Sequence, residues 1–374
     1  MAVRLTKLCY KNISRDIIKT PCEYNSRLSQ LYNTNIYLKR EDLQITRSFK
    51  IRGSLNKIKS LAENKHVNLK QNGLICASAG NHAQGMAYSC NKLGLNGTIY
   101  VPTITPQQKI NRIKYYGGDL INIKLYGNNF QECLEHALKI AQTQNKYFIH
   151  PFDDDDIING QATIAYEIYK DIQPDFIVCP IGGGGLISGI SKYSKLINPE
   201  CNIIGVESKN ADSMTLALKN NKPSIITNLN TFVDGASVAK VGDKTFEICK
   251  KSINKLYTIS NNRVCHDIIN CYQDDGIILE PAGALGLGSL DNLKEDYDIT
   301  GKNIVVILSG GNNDISRYNE IMQLNLEYMG LIHYFVIEFN QNPGQLKFFI
   351  NNIMDSNTDI IRFEYIKKTN KNFG

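Results

Sequence analysis

Gly73-Leu74-Ile75-Cys76-Ala77-Ser78-Ala79-Gly80-Asn81-His82 joins an apolar run to a helical pattern through a turn of small residues. Gly73 to Ala77 has the unbroken apolar character of a strand buried on both faces. The helix it leads into runs from Asn81 to Leu93 and stops at Gly94, a residue suited to a left-handed cap. The same unit recurs on either side. Gly97 to Val101 reads as a strand stopped by Pro102, and Pro106 opens a helix at its first turn. Leu120 to Ile123 and a helix over 128–144 follow. Upstream, Asn35 to Lys39 is a strand, then Leu55, Ile58 and Leu61 recur at helical spacing. Downstream, Phe176 to Cys179, Ile203 to Val206 and Ile304 to Leu308 are further strands. This alternation predicts an α/β protein with two doubly wound, parallel-type sheets. Ligands of such sheets gather at the carboxyl ends of strands, where loops and helix N-termini converge.

The chain has 374 residues, which predicts about two or three domains. Its net charge of +6 comes from scattered lysines, not a basic stripe interleaved with aromatics, so a nucleic-acid partner is not expected. Ten cysteines occur without a Cys-x-x-Cys pair, which fits reduced thiols in a cytoplasmic protein. Met1 to Leu8 lacks the apolar core of a signal peptide. No apolar run reaches the roughly 18 residues that a membrane span needs.

The candidate chemistry sits at strand–helix junctions. In Ser48-Phe49-Lys50-Ile51-Arg52-Gly53 a lysine lies between an aromatic and a β-branched residue at the start of a helix. An amine in an apolar pocket loses hydration, its pKa falls, and it becomes a nucleophile for carbonyls. A snorkelling lysine would look the same in this hexapeptide alone. Ser78 to His82 can turn backbone N–H groups toward a carboxylate or phosphate at a helix N-terminus, and is equally compatible with an ordinary N-cap. Gly182-Gly183-Gly184-Gly185-Leu186 costs backbone entropy that is tolerated where the backbone closely approaches a ligand. The run has neither a P-loop ending nor dinucleotide-turn spacing, which points to a small phosphate ester. Glu280-Pro281-Ala282-Gly283-Ala284 starts a helix with a buried-looking Glu, and Ser309-Gly310-Gly311-Asn312 ends the Ile304 strand. Asp153 to Asp156 reads as a solvated loop capping the following helix, and no metal site is expected. His82 is read as a loop-fixing histidine.

Taken together, Lys39-Arg40-Glu41-Asp42-Leu43-Gln44, Arg47 to Gly53, Ser78 to Gly85, Gly182 to Leu186, Glu280 to Ala284 and Ser309 to Asn312 resemble the threonine dehydratases (threonine ammonia-lyases). These share the tryptophan-synthase-β-like fold of pyridoxal-phosphate enzymes. The resemblance covers about Thr20 to Arg317 and continues into the terminal unit. It implies pyridoxal 5'-phosphate as cofactor and an amino acid as small-molecule substrate. Lys50 is implied as the Schiff-base lysine and the base that removes the Cα proton, with Phe49 flanking the cofactor. Asn81 would bond the ring hydroxyl, Gly182, Gly183, Gly184, Gly185 and Leu186 would cradle the phosphate, and Ser309 would meet the pyridine nitrogen. Ser78, Ala79, Gly80, Asn81 and His82 would hold the substrate carboxylate. A neutral serine at the pyridine nitrogen weakens the electron sink, which suits loss of a β-leaving group over racemisation. Related serine racemases place a hydroxyl where Ala79 stands, and a methyl cannot take a proton.

The implied organisation is a catalytic domain over 1–325, with a smaller lobe at about 50–155, and a truncated ACT-like regulatory unit over 326–374. Phe339 to Gly344 and Ile361 to Tyr365 carry the second match. Strands are expected at Tyr334 to Phe339 and Ile360 to Tyr365, around a helix from Gln345 to Ile353. The ACT-like pattern stops midway, so isoleucine (or valine) feedback is expected to be weakened or absent. A homo-oligomer, tetramer or dimer, is implied. Three other readings stay open: a catabolic serine/threonine dehydratase, a β-replacement enzyme, and a non-catalytic remnant.

Overall fold

The computed structural model describes residues 2–340 and 342–366. The chain divides into two units, Met1–Leu331 and Ile332–Gly374. The helix Tyr318–Tyr328 belongs to the first unit. Its Ile321 is fully buried in the core that also contains Val264, Ile268 and Leu285, and Leu324 packs against that core.

Ten strands make two sheets in the first unit. They are β1 (Cys22–Tyr24), β2 (Asn35–Arg40), β3 (Leu74–Ala77), β4 (Gly97–Val101), β5 (Ile121–Leu125), β6 (Tyr147–Phe148), β7 (Phe176–Pro180), β8 (Asn202–Ser208), β9 (Lys255–Ile259) and β10 (Asn303–Leu308). The larger sheet has the order β1-β2-β10-β7-β8-β9 and the smaller one β5-β4-β3-β6. Every pairing is parallel except β1 with β2, an antiparallel edge. Parallel sheets need helices on both faces, so β7 and β10 are apolar and buried almost throughout. The α/β expectation with two parallel sheets is met.

The chain leaves the larger sheet after β2, enters the smaller lobe through the helix Lys50–Glu63, and returns through the helix Asp155–Asp171. These two helices pack directly on each other. A Cβ on Gly53 would lie 2.3 Å from the Gln161 amide, and one on Gly160 would lie 2.7 Å from the Arg52 carbonyl. Glycine at both positions therefore lets the backbones approach. Beneath the first turn of the Lys50 helix lies a fully buried ion network. Arg52 bonds Glu41 at 2.8 Å and Glu167 at 2.8 Å, and Lys39 bonds Glu167 at 2.6 Å. Thr20 adds a hydroxyl to Glu41 at 2.5 Å. Two positive and two negative charges cancel, which is the condition for burying charge at all.

The second unit departs from expectation. The helix Gln345–Asn352 forms, entered through Gly344 at φ 88°. The residues described over 334–339 and 360–365 form no strand, and Phe335, Val336, Ile361 and Phe363 are exposed. Two short strands alone are marginal in water, since they leave unpaired edges and bury too little apolar surface. Gln341, inside the 339–344 motif, and residues 367–374 lie outside the described residues.

Candidate active site at the carboxyl ends of the two sheets

The loops that follow β3, β6, β7 and β10 converge. Ser48 forms an isolated bridge with Gly310, and the Phe49 N–H donates to the Ser309 carbonyl at 3.2 Å. Those contacts fix the first turn of the Lys50 helix against the end of β10. Arg47, just before it, takes the left-handed conformation at φ 53°, a strained choice for a side-chain-bearing residue. Lys50 Nζ donates to the Pro151 carbonyl at 2.8 Å and lies 5.2 Å from the Phe49 ring centre. Burial depresses its pKa to about 8, only partly opposed by the charge of Glu280. Near pH 8 much of this amine is therefore neutral, the form that attacks an aldehyde or takes a proton.

The turn after β3 brings Ser78, Ala79 and Gly80 to the start of the helix Asn81–Leu93. A Cβ added at Gly80 would meet nothing within 4 Å, so the turn borders open space. Asn81 is held on both sides of its amide. Its Nδ2 donates to Glu280 Oε1 at 2.7 Å, and its Oδ1 accepts from Asn312 Nδ2 at 2.8 Å. His82 points the other way. Its Nε2 meets the Ile149 carbonyl at 2.8 Å in the core, and burial drives its pKa down to about 3. It fixes the segment leading to Pro151, and only its backbone N–H is left for the turn.

The glycine run after β7 is packed on every side. A Cβ on Gly183 would lie 2.3 Å from the Phe152 ring, and one on Gly182 would lie 2.9 Å from the Ala236 carbonyl. Gly184 has φ 90° and Thr245 at 2.8 Å from where its Cβ would be. Thr245 Oγ1 donates to the Gly183 carbonyl at 2.7 Å, which helps set the direction of the loop. No carbonyl among the described residues accepts from the backbone N–H groups of Gly182, Gly183 or Gly184. These donors precede the helix Gly185–Ile197, whose N-terminus adds partial positive charge. Leu186 lies in the first turn of that helix with its side chain in the core. Such a cradle of bare N–H groups binds a phosphate. Ser309, buried at the end of β10, donates to the Ala282 carbonyl at 3.1 Å.

A desolvated amine, a glycine loop whose N–H groups meet no backbone carbonyl among the described residues and a small-residue turn thus converge. The family model described as pyridoxal-phosphate dependent enzyme matches residues 13–310. The chain belongs to the pyridoxal-phosphate dependent enzymes. The site fits that cofactor: Lys50 suits its aldehyde, and the side-chain-free N–H groups of Gly182 to Gly184 suit its phosphate.

Within this family, the chain is 44% identical over 360 residues to the biosynthetic L-threonine dehydratase IlvA of Halalkalibacterium halodurans, covering 96% of this chain and 85% of that one. It is 42% identical over 367 residues to the protein of the same name from Bacillus subtilis, covering 98% and 86%. Among solved structures it is similar to the processed form of threonine deaminase isoform 2 from Solanum lycopersicum, with a TM-score of 0.81 and 36% identity. That match covers 86% of this chain and 93% of that one. Serine racemase from Dictyostelium discoideum gives a TM-score of 0.76 and 29% identity, covering 84% and 99%.

Three contacts of the site are not encoded locally in the sequence, those of Phe152, Asp153 and Glu280. Phe152 packs on a loop thirty residues away, and nothing local marks it. Asp153 engages a distant segment. Its Oδ1 accepts from the N–H groups of Lys244 and Thr245 at 3.0 and 3.1 Å, so it caps a distant helix beside the glycine run. Asp154 caps its own helix, as the solvated-loop reading expects. No cluster of metal-ligating side chains occurs among the described residues, and no helix is long and apolar enough to cross a membrane. Glu280 stands in a motif, but its contact with Asn81 is visible only in the fold.

Proposed function

We propose that this chain is an L-threonine dehydratase that converts L-threonine to 2-oxobutanoate and ammonia, the step that opens isoleucine biosynthesis. The observation that carries the reading is the half-buried Lys50 amine, held between the Phe49 ring and the Pro151 carbonyl and bonded to no carboxylate. Similarity to the bacterial L-threonine dehydratases supports the substrate. Bound pyridoxal phosphate supplies the electron sink that makes a Cα proton of an amino acid removable.

The residues then divide the work. Lys50 would hold the cofactor through its aldehyde, and Nζ is the base placed to take the Cα proton of the substrate. Phe49 would flank the ring. Asn81 would offer its remaining N–H to the ring hydroxyl, and Gly182 to Gly185 with Leu186 would hold the phosphate through backbone N–H groups. Ser309 would meet the ring nitrogen with its hydroxyl, which donates to the Ala282 carbonyl in this structure. The backbone of Ser78 to His82 orients the substrate carboxylate, with Ala79 offering no second base on that side. The β-hydroxyl leaves as water, its extra proton balanced by the one that Lys50 removes from Cα, and hydrolysis of the released enamine takes up one water and frees ammonia, so atoms balance. Elimination is favoured over racemisation because Ala79 carries a methyl, although serine racemase shares the fold.

The division of labour along the chain belongs to the same reading: a catalytic part over 1–325 and an ACT-like tail over 326–374, in which feedback by isoleucine or valine is weak or absent. A homo-oligomer (tetramer or dimer) in the cytoplasm completes it. Release of 2-oxobutanoate from L-threonine by purified protein with pyridoxal phosphate, run with and without isoleucine, tests the proposal. Absence of the keto acid while the cofactor's visible band is present would overturn the substrate assignment.

A further inference from the structure

Glu280 is a buried carboxyl without a basic partner. It is 5% exposed and makes one side-chain hydrogen bond, from Asn81 Nδ2 to Oε1 at 2.7 Å. Its backbone is pinned to the end of β10, where its N–H donates to the Gly310 carbonyl at 3.2 Å. A glycine from another segment makes room for the carboxyl. A Cβ on Gly310 would lie 2.2 Å from Oε1. A buried carboxyl with one neutral donor is a costly choice for stability alone, since an apolar residue of similar size would pack there without desolvation. Groups placed in this way concentrate at functional sites.

Its surroundings are mixed in charge. The Asp234 carboxylate faces it from the loop before Gly235, and Lys109 reaches Asp234 from the smaller lobe at 2.6 Å. Arg47 approaches from the turn before Ser48, and Lys50 lies on the catalytic helix. Burial and the Asp234 charge push the Glu280 carboxyl up to about 7, against the pull of Asn81, Lys109 and Arg47.

We propose that Glu280 is a positioning residue of the reaction: it clamps the Asn81 carboxamide toward the cofactor ring hydroxyl and stores an exchangeable proton at that end of the pocket. Asn81 Oδ1 is taken by Asn312 and one Nδ2 hydrogen by Glu280, so a single N–H remains, fixed in direction. When Glu280 loses its proton to solvent, a negative charge appears beside that N–H and near Lys50, and it raises the basicity of both the amine and the ring oxygen. When Glu280 is protonated the charge is absent. The colour of the cofactor bound to Lys50 then reports the state of Glu280.

The inference rests on this site being the cofactor pocket, so the test uses the holoenzyme without substrate. The visible band of bound pyridoxal phosphate is titrated from pH 5.5 to 9 (about 1.5 units below neutrality to 2 above) in wild type, Glu280→Gln and Glu280→Asp. Wild type is expected to show a spectral change centred near neutrality. Glu280→Gln keeps the shape and the Asn81 contact but cannot ionise, so the change disappears while the cofactor dissociation constant stays within about threefold. Glu280→Asp keeps an acid but retracts it, so the change persists with a moved midpoint and the dissociation constant rises about tenfold. An identical midpoint in wild type and Glu280→Gln would overturn the role of Glu280 alone. A wild-type protein with no cofactor band would overturn the pocket assignment with it.

Discussion

Arg52 is the residue whose removal tests the energetics of the fold most sharply. Its guanidinium makes bidentate contacts to two carboxylates: to Glu41 at 2.8 and 2.8 Å, and to Glu167 at 2.8 and 2.9 Å. Arg52→Met keeps the length and apolar stem but leaves two buried carboxylates facing one ammonium, Lys39. Breaking one partner out of a buried pair costs about 3–5 kcal/mol. At roughly 2 °C per kcal/mol for a chain of this size, Tm falls by about 6–10 °C. The loss has a definite pH dependence. In the native network burial opposes ionisation of Glu41, but the Arg52 and Lys39 charges outweigh it and hold the carboxyl below its usual range. A depressed folded pKa contributes stability above the unfolded pKa, and that contribution is lost as pH falls through the folded value. In Arg52→Met, burial is opposed by less positive charge, so the folded pKa rises. The variant then loses stability as pH climbs above the unfolded value of about 4.3. The difference in Tm, read by circular dichroism, is therefore expected to widen between about pH 5 and pH 8. Glu41→Gln in the same chain is expected to recover part of it. A Tm difference under about 2 °C, or one that is flat with pH, would refute the network as a stabilising unit.

Lys50→Ala is expected to abolish the visible cofactor band and to lower 2-oxobutanoate formation by at least about a thousandfold, measured by absorbance and coupled assay. In cofactor-free protein the Lys50 amine, with its pKa depressed to about 8, is expected to capture pyridoxal phosphate with a rate that rises through pH 8. A midpoint near the 10.5 of an ordinary lysine in stopped-flow absorbance would show the amine to be solvated. Gly183→Ala drives a methyl into the Phe152 ring at 2.3 Å, so the loop must shift. Pyridoxal-phosphate affinity is then expected to fall by about tenfold or more, by fluorescence titration. Isoleucine is expected to inhibit the chain weakly or not at all, and strong cooperative inhibition in a steady-state titration would contradict that.

Much of this fold is legible in residue order because parallel strands advertise themselves. Ile304 to Leu308 and Phe176 to Cys179 are apolar throughout since helices cover both faces, and both became β10 and β7. Asn81 to Leu93 with Gly94 is recovered to the residue, because cap chemistry is local. The edge strand β1 and the half-exposed β9, Lys255–Ile259, carry weaker patterns and gain their identity from neighbours. The site divides in the same way. Lys50, the Ser78 turn and the glycine run are contiguous motifs, whereas Phe152, Asp153 and Thr245 act across gaps that sequence spacing does not encode. His82 belongs to a motif, yet its ring serves the core. The tail strands fail for a related reason: alternation describes a segment's readiness to pair, and pairing needs a neighbour.

The pairing of β2 with β10 sets an order on synthesis. Asn35 lies opposite Asn303, 268 residues later, so the centre of the larger sheet cannot close until most of the chain has left the ribosome. The smaller lobe has no such wait. Its strands β3 to β6 pair within Leu74–Phe148 and can assemble while β2 has β1 but still lacks β10. Lys50 is anchored through Phe49 and Ser48 to Ser309 and Gly310, so its pocket is finished last. A nascent chain of this protein therefore carries a folded lobe, and a lysine not yet desolvated, well before it has a place to hold a cofactor.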